Sequence, residues 1–243
     1  MKDNYANILN SVSKKERLLA VLIDPDKMKV ENISSFVTKV NASIATHIFV
    51  GGSVVDDYLT DDLVYEINKH TQLPIVLFPG DLTQITDKAD AILFLSLISG
   101  RNPDYLIGKH VESISKLKAT NLEIIPTGYI LIENEKETAV QRVTKTKPLE
   151  RKKIQEIVDT AIAGNLLGMK LIYLEAGSGA IHPVTSEIIS KVKEGVTIPL
   201  IVGGGIKTKQ QLEETYNSGA DLVVIGTAFE DDESFFEDLK RDI

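Results

Sequence analysis

The chain predicts an α/β fold, and within that class a (β/α)8 TIM barrel, on three observations. Its 243 residues, 43% of them hydrophobic, can bury one large core. Short apolar, β-branched runs alternate with Gly- or Asp-containing turns and longer amphipathic stretches, which is the signature of βαβ units. The apolar runs are continuous rather than alternating, as in VLI, IFV, IVLF, ILFL, LIYL and LIV. Strands covered on both faces read this way because neither face meets water.

Taken in order, the predicted strands are residues 18–23, 47–50, 75–78, 91–95, 122–125, 170–174, 200–202 and 222–225. An eightfold series with crossover helices closes into a barrel. Periodicity places helices at 31–41, 56–69, 103–118, 150–165, 185–194, 208–218 and 231–240. After the third strand, GDLTQITDKAD is too short for a crossover helix, so a degenerate unit is expected there. Residues 127–149 read as a long polar loop, of the size that serves as a lid, binding segment or insertion. No Pro/Ser-rich linker or low-complexity tract interrupts the series, so residues 1–243 are read as one domain.

Composition excludes several functions. The chain has no cysteine, so disulfides, thiolate metal sites and cysteine nucleophiles are ruled out, and a cytoplasmic setting is the default expectation. A net charge of −8 disfavours a sequence-independent grip on nucleic acid, which needs a basic face. No stretch approaches the roughly 20 apolar residues of a membrane helix, and the first residues lack the apolar core of a secretory signal. The expectation is a soluble protein, with room left for a greasy substrate or peripheral contact with a bilayer. The histidines at 47, 70, 110 and 182 fall on separate units without ligand spacing, so no zinc site is expected.

Chemistry concentrates where strands hand over to helices. Gly-rich turns follow strands six, seven and eight: Glu175-Ala176-Gly177-Ser178-Gly179-Ala180, Gly203-Gly204-Gly205-Ile206 and Gly226-Thr227-Ala228. Any one could be a tight turn only. Three in a row at the C-terminal rim favour a phosphate cradle, because glycines let backbone N–H groups approach an anion and the next helix N-terminus adds its dipole. Strand one ends in Asp24-Pro25-Asp26-Lys27, and strand two in Gly51-Gly52-Ser53. Asp24 and Ser53 suit a Mg²⁺ that takes one or two protein ligands beside phosphate oxygens, or they only cap helices. Glu175 shares its strand face with Tyr173; it is either a proton acceptor for a substrate hydroxyl or a structural partner. Leu77, Phe78, Phe94, Leu95, Leu97 and Ile98 are core, or line an apolar substrate.

The segments LIDPDK (22–27), FVGGS (49–53), LFPG (77–80), ILFLSLISGRNPDYLIG (92–108), YLEAGSGA (173–180) and VGGGI (202–206) together make the chain similar to the geranylgeranylglyceryl phosphate synthase family of prenyltransferase barrels, over nearly its whole length. The most specific are YLEAGSGA and the 92–108 run. The resemblance implies that the free primary hydroxyl of sn-glycerol 1-phosphate attacks C1 of geranylgeranyl diphosphate, forming an ether and releasing pyrophosphate. It implies Mg²⁺ on Asp24 and Ser53. Glycerol phosphate would lie on Tyr173, Leu174, Glu175, Ala176, Gly177, Ser178 and Gly179, on Gly203 and Gly204, and on Gly226 and Thr227, with Glu175 as catalytic base. The irregular unit after strand three would leave a gap where a long chain emerges. It also implies a homo-oligomer, dimeric or hexameric. Bacterial relatives acting on heptaprenyl diphosphate share the barrel and cradle, but LFPG and SGRNPDYLIG look more like the geranylgeranyl branch. Those relatives often carry a lysine shortly before the strand-one aspartate, where this chain has Val21-Leu22-Ile23, so no lysine contact is carried over. Isomerases and lyases of the phosphate-binding barrels share the cradle without a reason for the DPD and GGS pair. A phosphate-sensing barrel without activity fits less well, because the proposed metal, base and cradle residues are all present.

Overall fold

A computed structural model describes residues 3–52, 59–231 and 234–240. Eight parallel strands close into a barrel in sequence order: β1 (Leu18–Ile23), β2 (His47–Val50), β3 (Ile75–Leu77), β4 (Ala91–Leu97), β5 (Glu123–Leu131), β6 (Leu171–Glu175), β7 (Leu200–Gly203) and β8 (Leu222–Ile225). Closure is made by β8 beside β1, with Leu18 opposite Leu222 and Val21 opposite Ile225. The two-residue strand period sorts side chains into two apolar layers. Leu18, Ala20, Phe49, Val76, Leu93, Ile125, Leu171 and Ile201 fill the barrel. Leu19, Val21, Ile48, Val50, Ile75 and Leu77 face the helices instead. Both layers exclude water, which is why the strand sequences do not alternate.

Amphipathic helices cover the outside. Helix α1 (Asn4–Ser13) precedes the barrel. Then α2 (Ile33–Ala42) buries Ile33, Phe36, Val37 and Val40, and α3 (Leu59–Asn68) buries Leu63, Val64 and Ile67. Helix α4 (Lys109–Leu117) follows a five-residue π turn, Asp104–Gly108. Helices α5 (Ala139–Thr144), α6 (Ile154–Leu166), α7 (Ser186–Gly195), α8 (Lys209–Asn217), α9 (Thr227–Asp231) and α10 (Phe235–Asp238) complete the ring. Between β3 and β4 there is only the 3-10 turn Leu82–Gln84, the degenerate unit that the short sequence segment predicts.

Two elements differ from the sequence reading. The 127–149 segment is not one loop: β5 runs on to Leu131, and α5 occupies its middle. Pro126 and Gly128, residue types that usually weaken a strand, both lie inside this one. A Cβ at position 128 would sit 2.8 Å from the Ile98 side chain and 3.0 Å from Ile172, so glycine there admits packing rather than ending the strand. Helix α1, which periodicity does not predict, lies across the N-terminal end of the barrel. Asp3 caps it, its side chain accepting from the Ala6 N–H at 3.1 Å. The Glu123 carboxylate accepts from the Asn4 and Tyr5 N–H groups at 2.5 and 3.1 Å, and Ile8 enters the barrel cluster.

Candidate functional site

At the C-terminal ends of the strands lies a cavity of about 570 Å³. Its two halves differ in chemistry.

The polar half is built on β6, β7 and β8. Glu175, last residue of β6, points inward and is 6% exposed. The Gly177 N–H donates to Glu175 Oε1 at 2.6 Å. Gly204, at φ +86°, passes so close that a Cβ would lie 2.5 Å from Glu175 Oε1 and 2.7 Å from the Gly177 nitrogen. Only glycine fits this crossing, since the backbone is left-handed and the space is already filled. Burial pushes the Glu175 carboxyl up to about 7, against the opposing pull of the Gly177 N–H and the Tyr173 hydroxyl. Tyr173 is fully buried, and its hydroxyl lies against Gly203 close to Glu175, with no well-formed hydrogen bond among the described residues. Burial, with the Glu175 charge second, holds that phenol protonated.

The turns after β6 and β8 meet where Ser178 Oγ and Thr227 Oγ1 share a hydrogen bond of 3.0 Å. Among the described residues, the N–H groups of Ser178, Gly179 and Gly205 donate to no protein acceptor. These donors and the two hydroxyls form a concave, uncharged surface suited to an anion's oxygens. Of the residues expected in the cradle, Gly177, Ser178, Gly179, Gly204, Gly226 and Thr227 line the cavity. Leu174 and Ala176 instead turn their side chains to the helix layer, and the Ala176 N–H is spent on the Gly203 carbonyl at 3.0 Å. Gly203 is packed beneath the Tyr173 hydroxyl.

Beside the turn after β8, at the end of the adjacent strand β1, stands Asp24. Its Oδ1 accepts from the Asp26 N–H at 3.1 Å, and its Oδ2 lies 3.7 Å from Lys27 Nζ, too far for a tight pair. Partial burial raises its pKa above the ordinary carboxylate value, outweighing those two contacts. Gly52 approaches it closely enough that a Cβ would be 2.7 Å from Oδ1. Ser53, the other predicted metal ligand, lies outside the described residues.

The apolar half is floored by stacked aromatics. Phe78 and Tyr173 lie with ring centroids 5.2 Å apart, and the edge of Tyr129 meets Tyr173 at 5.3 Å. Phe94, Leu95 and Leu97 continue the wall past His110 and Ser113 of α4, to Ile85 and Ile92 beside the missing helix. Leu77 and Ile98 pack with the outer layer instead. His110 meets the Phe94 ring edge-on at 4.3 Å; its Nδ1 has no partner among the described residues, and burial lowers its pKa, keeping it neutral.

Other lining residues were not apparent from sequence. Tyr129 was hidden by the early stop given to β5. Lys136 and Thr138, just before α5, and Val140 and Arg142 within it also line the cavity. The signal was present: Thr138 and Gln141 form a capping box, the Thr-x-x-Gln pattern that opens a helix. The Thr138 methyl packs against Gly177, tying this segment to the glycine turn.

Comparison with known proteins accords with this arrangement. The PcrB family model matches residues 10–243. A geranylgeranylglyceryl phosphate synthase of Flavobacterium johnsoniae is 56% identical over 233 residues, covering 96% of each chain. One from Zunongwangia profunda is 55% identical over 218 residues, 90% of this chain and 93% of its own. The crystal structure of (S)-3-O-geranylgeranylglyceryl phosphate synthase from Thermoplasma acidophilum, in complex with substrate sn-glycerol-1-phosphate, superposes with a TM-score of 0.91 at 30% identity, covering 98% of this chain and 96% of that one. The chain therefore belongs to the PcrB family.

Proposed function

We propose that this chain joins the free primary hydroxyl of sn-glycerol 1-phosphate to C1 of geranylgeranyl diphosphate, making an ether lipid precursor and releasing pyrophosphate. The observation that carries this reading is the division of one cavity into a glycine-walled polar half and an aromatic and aliphatic half, with Glu175 at the boundary. The names and bound substrate of the similar proteins support it.

In this reading, the monoester phosphate takes the free N–H groups of Ser178, Gly179 and Gly205 and the hydroxyls of Ser178 and Thr227. That choice fixes the glycerol, so that its free hydroxyl reaches Glu175. With a pKa near 7, Glu175 is both ionised enough at neutral pH to accept the proton and basic enough to take it. The hydroxyl oxygen forms the new bond to C1 as the bond from C1 to the diphosphate oxygen breaks, and the electron pair leaves with pyrophosphate. The prenyl chain lies over Phe78 and Tyr129 and along Phe94, Leu95 and Leu97, where water is excluded. It leaves past Ile85 and Ile92, through the gap left by the missing helix.

Asp24 fits Mg²⁺: a partly dehydrated carboxylate with one distant cation gains from a divalent ion, and Mg²⁺ takes few protein ligands when phosphates and waters supply the rest. Ser53, next in chain to Gly52, would be the second ligand. When bound, the ion would neutralise charge developing on the departing diphosphate. As the resemblance implies, the protein would act as a homo-oligomer; the absence of cysteine makes the cytoplasm its default setting.

The test is to incubate the protein with Mg²⁺, labelled sn-glycerol 1-phosphate and either geranylgeranyl or heptaprenyl diphosphate, and to count label extracted into organic solvent. The proposal expects extraction with both donors, or with the first alone, and faster turnover of the first. No extractable label with either donor overturns it. Faster turnover of the heptaprenyl donor overturns the assignment of chain length.

A further inference from the structure

Helix α4 has its apolar residues on the wrong side. Its buried face carries His110, Ser113 and Leu117. Ile107, in the turn that leads into it, and Val111 and Ile114 along its outer side are 59%, 66% and 42% exposed. Steps of four and three residues align them as one stripe, and exposed Lys118 extends it by another four. Helices α2, α3 and α7 do the reverse, burying Ile33, Phe36 and Val37, Leu63 and Ile67, and Ile188 and Ile189. The π turn at Asp104–Gly108 lies at the head of the stripe, and such turns recur at functional positions. Inside the same helix, His110 and Ser113 line the apolar half of the cavity, so one helix separates the cavity from the stripe.

Charge is concentrated beside it. Residues 99–118 and 136–153 together carry 11 Lys and Arg against 4 Asp and Glu in a chain whose net charge is −8; Lys109, Lys136 and Arg142 line the cavity and Arg151 is bonded to backbone carbonyls, and exposed Lys116, Lys118, Lys145 and Lys147 are among the rest. The two segments are stitched together: Asn102 Nδ2 donates to the Thr144 carbonyl at 2.8 Å, and the Thr146 side chain packs on Gly100. Lys145 and Lys147 flank Thr146, both exposed, with no ion pair among the described residues. The four acidic residues of the two segments are Asp104, Glu112, Glu137 and Glu150; Glu112 lies 3.8 Å from Lys109, Glu137 3.9 Å from Arg142 and Glu150 2.8 Å from Lys153.

We propose that this face, with Ile107, Val111 and Ile114 inserting and Lys118, Lys145 and Lys147 around them, docks the protein on an anionic phospholipid surface. Apolar side chains at the acyl boundary and cations at the headgroups act together in such binding, each too weak alone. A second copy is the poorer occupant, because a two-fold contact through this face would set like-charged segments against each other. Docking rests on the reading above only for its purpose, the delivery of a long alkyl substrate; the adhesion is measured without turnover.

The test is flotation of the full chain with vesicles of phosphatidylcholine alone or mixed with phosphatidylglycerol. The protein is expected to float with the anionic vesicles, less with the neutral ones, and less as salt rises. Val111→Asp with Ile114→Asp, and separately Lys145→Glu with Lys147→Glu, should each weaken partition by about tenfold or more. Turnover of detergent-dispersed prenyl diphosphate should be unchanged, since none of the four lines the cavity. Val111→Ser is the milder variant if the double aspartate does not fold. Absence of flotation, or equal flotation of the variants, overturns the proposal. So does dissociation of an oligomer by Val111→Ser in light scattering, which assigns the stripe to a second copy. Flotation without any ether product would instead leave docking standing and count against the proposed reaction.

Discussion

At the scale of single residues, Glu175 carries a pH signature. A base with a pKa of about 7 in the free protein predicts kcat/KM rising through pH 7 and levelling above it. Glu175→Gln should flatten that limb and lower kcat by roughly 10²–10⁴, with little change in KM for glycerol phosphate. The same burial has an opposite effect on stability. The folded pKa of about 7 lies above the ordinary 4.5, so between these values the native state holds a proton that the unfolded chain releases. Stability contributed by this group is therefore present below pH 4.5 and lost as pH rises to 7, at a cost on the order of 3 kcal/mol. Glu175→Gln should unfold at higher denaturant than the parent at pH 8 and near parity at pH 5, by equilibrium urea titration. Ser178 and Asp24 separate the two substrates. Ser178→Ala, which removes a hydroxyl from the cradle, should raise KM for glycerol phosphate about tenfold. Asp24→Ala should abolish Mg²⁺-dependent turnover while leaving glycerol phosphate binding, read by calorimetry, within about threefold. An unchanged KM in the first, or normal turnover in the second, removes that assignment.

At the scale of elements, the glycine turn after β6 is held by residues distant from it in sequence. Arg151, just before α6, donates from Nε to the Glu133 carbonyl at 2.7 Å and from Nη2 to the His182 and Pro183 carbonyls at 2.9 Å each. The Asn134 side chain accepts from the Ile181 N–H at 2.7 Å and donates to the His182 carbonyl at 2.5 Å. These bonds tie the end of β5 to residues 181–183, and Gly205 packs against His182 and Pro183. Arg151→Met should therefore raise KM for glycerol phosphate by about tenfold or more and speed amide exchange over 177–184, with kcat at saturation nearly unchanged. Arg151→Lys, with one donor group in place of a fork, should recover only part of the loss. None of this was legible in the sequence, because the acceptors are carbonyls that any residue supplies. The strands and glycine turns were legible for the converse reason: continuous apolar runs and glycines at fixed offsets are the side-chain consequences of a closed barrel. The extent of β5 was not legible, because Pro126 and Gly128 are residue types that strands usually avoid and the packing that admits Gly128 involves side chains distant in sequence. The side-chain directions of Leu174 and Ala176, which pack in the helix-facing layer, are likewise not legible from membership of the motif.

At the scale of the molecule, the barrel divides function from stability by its two ends. The cavity occupies the C-terminal rim. The N-terminal end is closed by α1, which is joined to β5 through Glu123 and to the barrel interior through Ile8, 2% exposed. Ile8 belongs to the same buried cluster as Leu18, Ala20 and Leu222 inside the barrel. Deleting the side chain would leave a void lined by atoms that cannot collapse without distorting a closed hydrogen-bonded ring. Ile8→Ala should therefore cost about 2–4 kcal/mol and lower the thermal midpoint by roughly 5–15 °C. Glu123→Gln should cost less, since the amide oxygen still accepts from the α1 N–H groups. Assayed well below its midpoint, Ile8→Ala should keep the parent's kcat and both KM values, because the rim is positioned by the strand ladder and by Arg151 rather than by the plug. A loss of kcat at a temperature where circular dichroism finds the variant fully folded would show that the two ends are mechanically coupled, and that the strand ladder transmits strain along the barrel axis.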